Sequence, residues 1–423
     1  MSMDKITVCA AFDFLQQEEI VGTLSHEYLR GKDVYSFAFH PQWLADHPRI
    51  KLGADLFSHA GLQYSFDSRL FGCFEDCSPD RWGRVLIREH FYNSHPETRR
   101  PLSGWDYLLG VNDYTRSGGL RFRDSQGQTI NELKRIHEVL PLTSLGQLQD
   151  VAEIVERNEA AHIPTDEKIL RQIVAPGSSA GGARPKAAIE DKGVLYIAKF
   201  PSVTDTTDAA RLEHFAHLLA KECQLNVADT RVCQLGKKHG TLLTRRFDRD
   251  DQRRIHMASS LTLTGLHDGD GADTGKGYLD IVDAIERFSS SVKDDIRELY
   301  GRIAYNICIG NTDDHFRNHS FLLNEKGWRL SPAYDLNPTD SYHHALLIND
   351  YTNESSLDIL YASHADYRLT SDEAHAIISD IRRNVYYWED IADKAGVSRA
   401  DTEALSRRID AGLEYSYGGG MRR

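Results

Sequence analysis

The middle of the chain contains a succession of elements that restricts the possible folds. A glycine-rich stretch, APGSSAGGARPKAAI, precedes a predicted strand, VLYIAKFPS, and a predicted helix within DTTDAARLEHFAHLLAKECQL. Thr207 or Asp208 is a candidate cap for this helix, and its apolar residues recur at helical spacing. Two further strands, TRVCQL and TLLTRRFD, come next, and helical patterns dominate beyond residue 278. This is the order of parts in a two-lobed kinase.

The flanking regions complete the predicted architecture. Short β-rich segments bounded by turn residues, such as ITVCAAF and DVYSFAFHPQWL, open the chain. A polar helical stretch covers about residues 144 to 174. We therefore expect an α+β protein with a two-lobed, kinase-like fold. Its predicted parts are a β-rich subdomain at 1–125, an α/β part with the glycine stretch at 126–255, and a helical lobe at 256–423.

Composition excludes some functions. The chain has 423 residues and a formal net charge of -13, which argues against a surface built to neutralise nucleic-acid phosphates. The segment MSMDKITVCAAFDFLQQEEIVG lacks the pattern of a secretory signal, and no run is long and apolar enough to cross a bilayer, so we expect a cytoplasmic location and no membrane partner. Six scattered cysteines favour reduced thiols over disulfides or zinc.

Hard oxygen ligands occur together in NTDDHFRNHSFLL and in the later LSPAYDL. Asp313 and Asn318 stand five residues apart, the spacing by which a kinase catalytic loop places a carboxylate near the attacking hydroxyl and an amide oxygen on magnesium. Asp335 follows 17 residues later, after an apolar stretch able to form a hairpin, and suits a second Mg²⁺ ligand. Each of these residues alone is typical of a turn. Asp314 adds a neighbouring carboxylate, which is expected to raise an aspartate pKa.

Two glycine-containing segments are candidates for phosphate binding. In GSSAGGARPKA the backbone of Gly181 and Gly182 and the cation of Lys186 suit a phosphate-cradling loop. Lys199, in the strand YIAKF, is the candidate phosphate-contacting lysine, and Glu213 on the next helix could orient it; otherwise the Lys199 head reaches solvent. The second segment, GDGADTGKG, does not fit the spacing of a nucleotide loop and is interpreted as a flexible, substrate-facing loop.

Several of these motifs resemble the HipA family of bacterial Ser/Thr kinases, the toxins of HipA–HipB-type toxin–antitoxin modules. GSSAGGARPKA, YIAKF, LEHFAHLLA, LLTRRFDR, RIHMASSLTLTG, NTDDHFRNHSFLL and LSPAYDL follow in the order of the family. The early segments VGTLS, FEDCSPDRWGR and LLGVNDYTRSGGLRF are similar to its N-terminal subdomain.

The resemblance implies a role for each matching residue. Asp313 would be the catalytic aspartate, Asn318 and Asp335 the magnesium ligands, and Lys199 the phosphate-contacting lysine. The implied ATP site further includes His315, Asn318, Tyr334 and Asp335, the adenine-holding segment Arg245, Arg246 and Phe247, and the phosphate-loop residues Gly181, Gly182, Ala183, Arg184 and Lys186. A self-phosphorylated serine is implied at Ser179, with Ser178 as the alternative, and phosphate there would oppose ATP phosphates by charge repulsion.

The same resemblance implies cofactors and partners. ATP and Mg²⁺ would be used to phosphorylate a protein, as in family members that act on aminoacyl-tRNA synthetases. A small helix-turn-helix antitoxin, similar to HipB, would be the partner, and DNA would be contacted only through it.

Three other functions are considered. An inactive or weak kinase-like scaffold would bind an antitoxin without transferring phosphate. A small-molecule kinase could use the same arrangement of Asp, Asn and Asp. A metal-dependent phosphohydrolase could be built on Asp313, Asp314 and His315, but it would need a two-metal cluster, for which the chain has no further His or Asp motif.

Overall fold

Two compact units make up the protein. A computed structural model describes residues 4–98, 100–130, 140–177, 182, 184–236, 239–251 and 253–417. Unit 1 comprises Met1–Thr204, Leu243–Ala258 and Leu322–Gly327, and unit 2 comprises Asp205–Leu242, Ser259–Phe321 and Trp328–Arg423. The division into three parts at residues 125 and 255, which the sequence predicted, is a different division and stays a prediction.

The N-terminal sheet of unit 1 is antiparallel, with the order β4-β3-β2-β1-β5. Its strands are β1 Asp4–Ala10, β2 Glu19–Leu29, β3 Lys32–Phe39, β4 Leu62–Tyr64 and β5 Leu120–Arg123. Arg30 and Gly31 join β2 to β3 with positive φ at both residues, as a tight hairpin turn requires. Leu24 and Phe37 are opposite each other in the register and are fully buried. The predicted β-rich start is confirmed.

The described residues of unit 1 also form helices. They are α1 Pro41–Asp46, α2 Gly72–Glu75, α3 Arg81–Ser94, α4 Gly104–Gly110, α5 Leu145–Ala161 and α6 Glu167–Gly177. The helical stretch predicted near 144–174 is thus two helices. The first ends where His162 takes a left-handed conformation, and Pro164 follows before the second begins.

A second sheet contains strands from both sides of the glycine-rich stretch, with the order β6-β7-β8-β10-β9. Its strands are β6 Leu140–Pro141, β7 Lys186–Asp191, β8 Val194–Lys199, β9 Thr230–Cys233 and β10 Thr241–Arg245. Between β8 and β9 lies the helix α7 Ala209–Glu222, which begins at the predicted cap Asp208. The sequence predicted β8, α7, β9 and β10. It did not predict β7, which begins inside the segment interpreted as the phosphate loop.

The remaining elements include a largely buried helix of unit 2. They are β11 Arg249–Asp250, β12 Arg253–Arg254, β13 Met257–Ser259, α8 Ser260–Thr264, α9 Tyr278–Phe288, α10 Val292–Ile309, β14 Ser320–Asn324, β15 Gly327–Leu330, α11 Leu357–Ala362, α12 Ser371–Val385, α13 Trp388–Ala395 and α14 Arg399–Gly412. Helix α10 packs against α9, α11, α12 and α14, and every residue from Leu299 to Ile309 is buried. A helix enclosed on all sides is a rigid base for the loop that follows it.

Among the described residues, none of the helices combines the length and the apolar character that crossing a membrane requires. All six cysteines are unbridged thiols, as predicted. Burial raises the pKa of Cys77 to about 12, so this thiol stays protonated and unreactive at neutral pH.

Candidate active site

The predicted catalytic loop begins at the end of α10. Gly310 ends the helix in a left-handed conformation, with φ +74°, and a Cβ at this position would lie 2.2 Å from Arg408 Nε. Glycine is therefore required by both conformation and space. The Asn311 amide N–H then donates to the Asn306 carbonyl at 2.9 Å, which turns the chain out of the helix. The loop thus leaves a rigid helix in one defined direction.

Asp313 is the exposed carboxylate of this loop. Partial burial raises its pKa, His315 opposes that change, and the negative charges of Asp335 and Asp314 raise the pKa further. The expected effect of Asp314 is therefore present, although burial and Asp335 contribute more. A carboxylate with a raised pKa that faces solvent is suited to accept a proton.

Asn318 is held in one orientation by the same loop. It ends a short 3₁₀ helix, Phe316–Asn318, and its side-chain amide N–H donates to the Asp313 carbonyl at 3.3 Å. Because the nitrogen donates to Asp313, the amide oxygen is directed away from this carbonyl. This oxygen is of the kind that binds Mg²⁺.

Asp314 points into the core and anchors the loop. Its Oδ2 accepts hydrogen bonds from the Tyr278 hydroxyl and the Asn306 side-chain amide, both at 2.8 Å. His319 Nε2 lies 2.9 Å from the same oxygen and must carry a proton, since a carboxylate only accepts. Burial alone would raise the pKa of Asp314, but attraction and hydrogen bonding from His319, with the hydrogen bond from Tyr278, lower it below its ordinary value.

The role of Asp314 differs from the chemistry considered for the sequence. A carboxylate that is 3% exposed and held by three side chains is not available to a metal shared with Asp313. The sequence carried no signal for this, because Asp313 and Asp314 are adjacent and chemically identical. Alternation of direction along an extended loop sends one outward and the other inward.

Asp335 lies beyond the β14–β15 hairpin, as predicted. Its φ of +59° is unusual for a residue with a side chain and costs about 1–3 kcal/mol. The Asn337 side-chain amide donates to Asp335 Oδ1 at 2.9 Å. Tyr334 ties this segment to the catalytic loop, because its hydroxyl donates to the Arg317 carbonyl at 2.5 Å and lies 2.6 Å from the Ser320 hydroxyl.

Unit 2 therefore brings together Asp313, His315, Asn318, Tyr334 and Asp335. Asp313 and Asp335 influence each other's charge, and Asn318 and Tyr334 hydrogen bond to the loop backbone. The described residues contain no cluster of three His, Cys, Asp or Glu side chains that could hold a metal ion. Asn318 and Asp335 supply the hard oxygens that fit Mg²⁺ when phosphate oxygens complete its shell.

A cavity of about 790 Å³ lies beside Asp313 and His315. Residues 268–273 form one side of it, and Ser341 to Ala345 contribute to another. The stretch interpreted as a flexible loop therefore faces this cavity, but it is tied down. The Ala272 N–H donates to the Ala345 carbonyl at 2.8 Å, and a Cβ on Gly277 would lie 2.3 Å from the Leu347 carbonyl oxygen. Its glycines allow close backbone packing.

The nucleotide-binding residues predicted in unit 1 are placed as follows. Lys199 ends β8 and stands opposite Lys186 in the β7–β8 register. Lys186 is 1% exposed, and its ammonium lies 2.8 Å from Asp80 Oδ2. Gly182 is exposed and Arg184 is half-buried. The predictions for Ser178, Ser179, Gly181 and Ala183 fall outside the described residues.

The segment predicted to hold adenine contains a buried ion pair. Arg246 Nε and Nη2 donate to Asp248 at 2.8 and 2.6 Å, and Arg246 Nη1 donates to the Thr115 carbonyl. Arg245 is exposed and Phe247 is half-buried. Contacts of Arg246 and Lys186 with ATP stay predictions, but here both cations are bound to carboxylates. Glu213 is buried on α7, and its predicted pairing with Lys199 stays a prediction.

The fold and the predicted catalytic loop place this chain among proteins with a kinase-like fold. The described structure superposes on HipA of Shewanella oneidensis, solved with HipB and its operator DNA, with a TM-score of 0.67 over 96% of both chains at 16% identity. At that identity the likeness establishes the fold alone. It confirms the predicted α+β, kinase-like fold class.

The sequence comparisons narrow this class to a family. The family model described as the HipA-like C-terminal domain matches residues 178–389, half of the chain. The HipA toxin kinase of Shewanella oneidensis is 25% identical over 254 residues, which is 52% of this chain and 57% of that protein. Y4mE of Sinorhizobium fredii, provisionally named a kinase, is 27% identical over 34% of this chain and 35% of its own length. The chain belongs to the HipA family, as its motifs predicted.

These alignments span between about a third and just over half of the relatives' own length. Activity, substrate and partners are therefore argued from this chain's own residues.

Proposed function

We propose that the protein is a HipA-type kinase that transfers the γ-phosphoryl group of ATP to a serine or threonine hydroxyl of a protein. The observation that carries this proposal is the arrangement around Asp313. An exposed carboxylate of raised pKa is coupled to a second carboxylate, Asp335, while Asn318 is oriented by Asp313's own carbonyl. Phosphoryl transfer needs these three groups together.

In this mechanism Asp313 accepts the proton of the attacking hydroxyl. The hydroxyl oxygen forms a bond to the γ-phosphorus, the bond from that phosphorus to the β–γ bridging oxygen breaks, and ADP leaves with the electron pair. Mg²⁺ bound by Asn318 and Asp335 would neutralise phosphate charge. Lys199 would contact the phosphates, and the backbone of Gly181 to Arg184 would cradle them. Arg245 to Phe247 would lie at the adenine, with His315 and Tyr334 near the nucleotide.

The finer parts of the proposal concern acceptors and partners. Ser179 or Ser178 would be a self-acceptor, and a protein of the translation machinery an external acceptor. The fold shared with a HipA that is bound to HipB and operator DNA supports a HipB-like antitoxin as partner. With a net charge of -13, the chain would reach DNA only through that partner. A cytoplasmic location, where ATP is supplied, belongs to the same proposal.

The decisive experiment measures intact mass after incubation with ATP and Mg²⁺. The wild-type chain is compared with Asp313→Asn and with Asp390→Asn, which removes an exposed carboxylate from the first turn of α13. We expect phosphate on the wild type and on the control. In Asp313→Asn, transfer should fall about 10²- to 10⁴-fold, the usual contribution of a positioned acid–base group. Peptide mapping then distinguishes Ser178 from Ser179.

Two outcomes would change the assignment. Full transfer by Asp313→Asn would refute the role of Asp313 as base. ATP binding by the wild type, without phosphate on the chain or on added cell protein, would favour the scaffold function or a small-molecule acceptor.

A further inference from the structure

The first turn of helix α3 holds the strand that follows the glycine-rich stretch. Asp80 caps α3 by accepting the Gly83 N–H at 2.7 Å with Oδ1, while its Oδ2 accepts from the Lys186 ammonium at 2.8 Å. Trp82 Nε1 donates to the Lys186 carbonyl at 3.0 Å. Both the side chain and the backbone of Lys186 are thus bound by residues that lie two positions apart at the start of α3. We call Asp80, Trp82 and Lys186 the lysine anchor.

Helix α3 also contacts the helix that precedes the glycine-rich stretch. It packs against α6, which ends at Gly177. His90 Nδ1 on α3 lies 3.0 Å from Glu167 Oε1 on α6, and the Asn93 side-chain amide donates to the Thr165 carbonyl at 2.9 Å. One helix therefore holds both the element that enters the stretch and the element that leaves it.

Within the described residues of the stretch, Gly182 lies against the lysine anchor. It has φ +105°, and a Cβ there would lie 2.9 Å from Lys186 Nζ. Any side chain at this position would therefore strain the backbone and displace the ammonium. The absence of a Cβ allows the backbone to approach this buried charge closely.

Asp80 also separates the charges of two lysines. Lys186 and Lys199 are opposite each other in an antiparallel pair, so their side chains project from the same face with Cβ atoms about 5 Å apart. Like charges at such positions repel. The pairing of the Lys186 charge with Asp80 therefore reduces this repulsion.

We propose that Asp80 and Trp82 are positioning residues for ATP, which act through Lys186 to hold Gly182 and the strand β7 that leaves the glycine-rich stretch. This inference rests on the proposed function, and it assigns to the N-terminal part of the chain a role in nucleotide affinity. Lys186 then serves ATP as part of the anchor and not by direct contact with phosphate.

The test uses Asp80→Asn in the full chain. Asparagine caps a helix as well as aspartate does, so α3 keeps its N-terminus while Lys186 loses its anionic partner. A buried ammonium that loses its carboxylate is costly to keep in place, so its hold on the strand weakens. We expect the Kd for ATP, measured by calorimetry, to rise about 10- to 100-fold, as for other residues that orient a binding group. The rate at saturating ATP should stay within about twofold.

The matched control is Asp106→Asn. Asp106 also binds backbone at a helix start, accepting the Ser103 N–H at 2.7 Å, and it also pairs with a cation, but that partner, Arg100, is exposed. Its ATP affinity should equal that of the wild type. A general loss of folding would lower both affinity and saturated rate, whereas a positioning role changes affinity alone.

The possible results separate the proposals. If Lys186 contacts phosphate directly, Asp80→Asn releases it and ATP binds more tightly, which overturns the positioning role. Unchanged affinity, with ATP binding by the wild type, also overturns it and leaves the proposed function standing. A wild-type chain that binds no ATP refutes the proposed function and the positioning role together.

A second variant decides the question if Asp80→Asn does not fold. Trp82→Phe removes the indole N–H bound to the Lys186 carbonyl and keeps a smaller aromatic ring at this buried position. A several-fold rise in Kd supports the anchor, and wild-type affinity refutes it.

Discussion

In both the predicted catalytic loop and the lysine anchor, a carboxylate holds other groups in place. The two differ in how far along the chain the positioned residue lies from that carboxylate. Asp314 is adjacent to the residue it positions, whereas Asp80 lies 106 residues from Lys186. Asp314 accepts from a tyrosine, an asparagine and a histidine, and Asp80 accepts from an ammonium and a backbone N–H. A carboxylate next to the residue it positions is part of the same sequence motif. A carboxylate that is distant along the chain reaches its partner only when the whole unit folds.

Two neighbouring carboxyl groups, those of Asp313 and Asp314, have pKa values shifted in opposite directions, and one side chain faces solvent while the other faces the core. Asp313 is exposed and its pKa is raised, with burial as the largest cause, while Asp314 is buried and its pKa is lowered by His319 and Tyr278 against the effect of burial. A candidate proton acceptor and a structural hydrogen-bond acceptor therefore follow each other directly in the chain.

The largest expected effect is on stability, from removal of the inward carboxylate. Asp314→Ala leaves three buried donors without their shared acceptor and should destabilise unit 2 by about 3–5 kcal/mol. Asp314→Asn keeps one acceptor oxygen and should cost less. Thermal unfolding followed by circular dichroism measures both, with Asp390→Ala as the exposed control. Equal stability of Asp314→Ala and the control would show that the network does not hold the loop.

A smaller effect is expected where the catalytic loop meets the Asp335 segment. Tyr334→Phe removes the hydroxyl that binds the Arg317 carbonyl and should cost about 1 kcal/mol. Asp335 keeps its φ of +59° only while its surroundings hold it. We therefore also expect the variant to need a higher Mg²⁺ concentration to reach half of its maximal rate. Magnesium titration of the phosphorylation rate measures this, and an unchanged half-saturation point would separate Tyr334 from the metal site.

The smallest expected effect is a shift of the acid limb of activity. Asp313 must be deprotonated to act as a base, and its raised pKa places the loss of activity at a higher pH than for an ordinary aspartate, whose pKa is about 3.9. The sign is opposite for Asp314. Its lowered pKa gives stability above the unfolded pKa, and this stability is lost as pH falls through the folded value.

A pH profile of kcat/KM, measured beside thermal unfolding over the same range, distinguishes these two groups. Activity should decline before stability does as the solution is acidified. A simultaneous decline would mean that unfolding, and not protonation of Asp313, limits activity.

Much of the local structure was predictable because its causes are local. The cap at Asp208 and the hairpin before Asp335 depend on side chains within a few residues of the backbone they bind. The apolar residues Ile296, Leu299, Ile303 and Ile307 recur at helical spacing in α10, but every other residue from Leu299 to Ile309 is buried too, because unit 2 packs helices around this part.

The candidate site was predictable only in part. Asp313, Asn318 and Asp335 were found by spacing, and unit 2 brings them into one region. The strand β7, the inward direction of Asp314 and the pairing of Lys186 with Asp80 were not found. Periodicity does not reveal a strand that begins beside glycine and proline, and no pattern links a helix cap to a lysine 106 residues later.

The sequence by itself determined the order of elements, the catalytic-loop spacing and the family. These are properties of neighbouring residues, set by hydrogen bonding, turn conformation and periodic burial. Only the tertiary structure decided which carboxylate faces solvent and which cation is neutralised. Burial makes an unpaired charge costly, and the partner that removes this cost can come from any part of the chain that folding brings near.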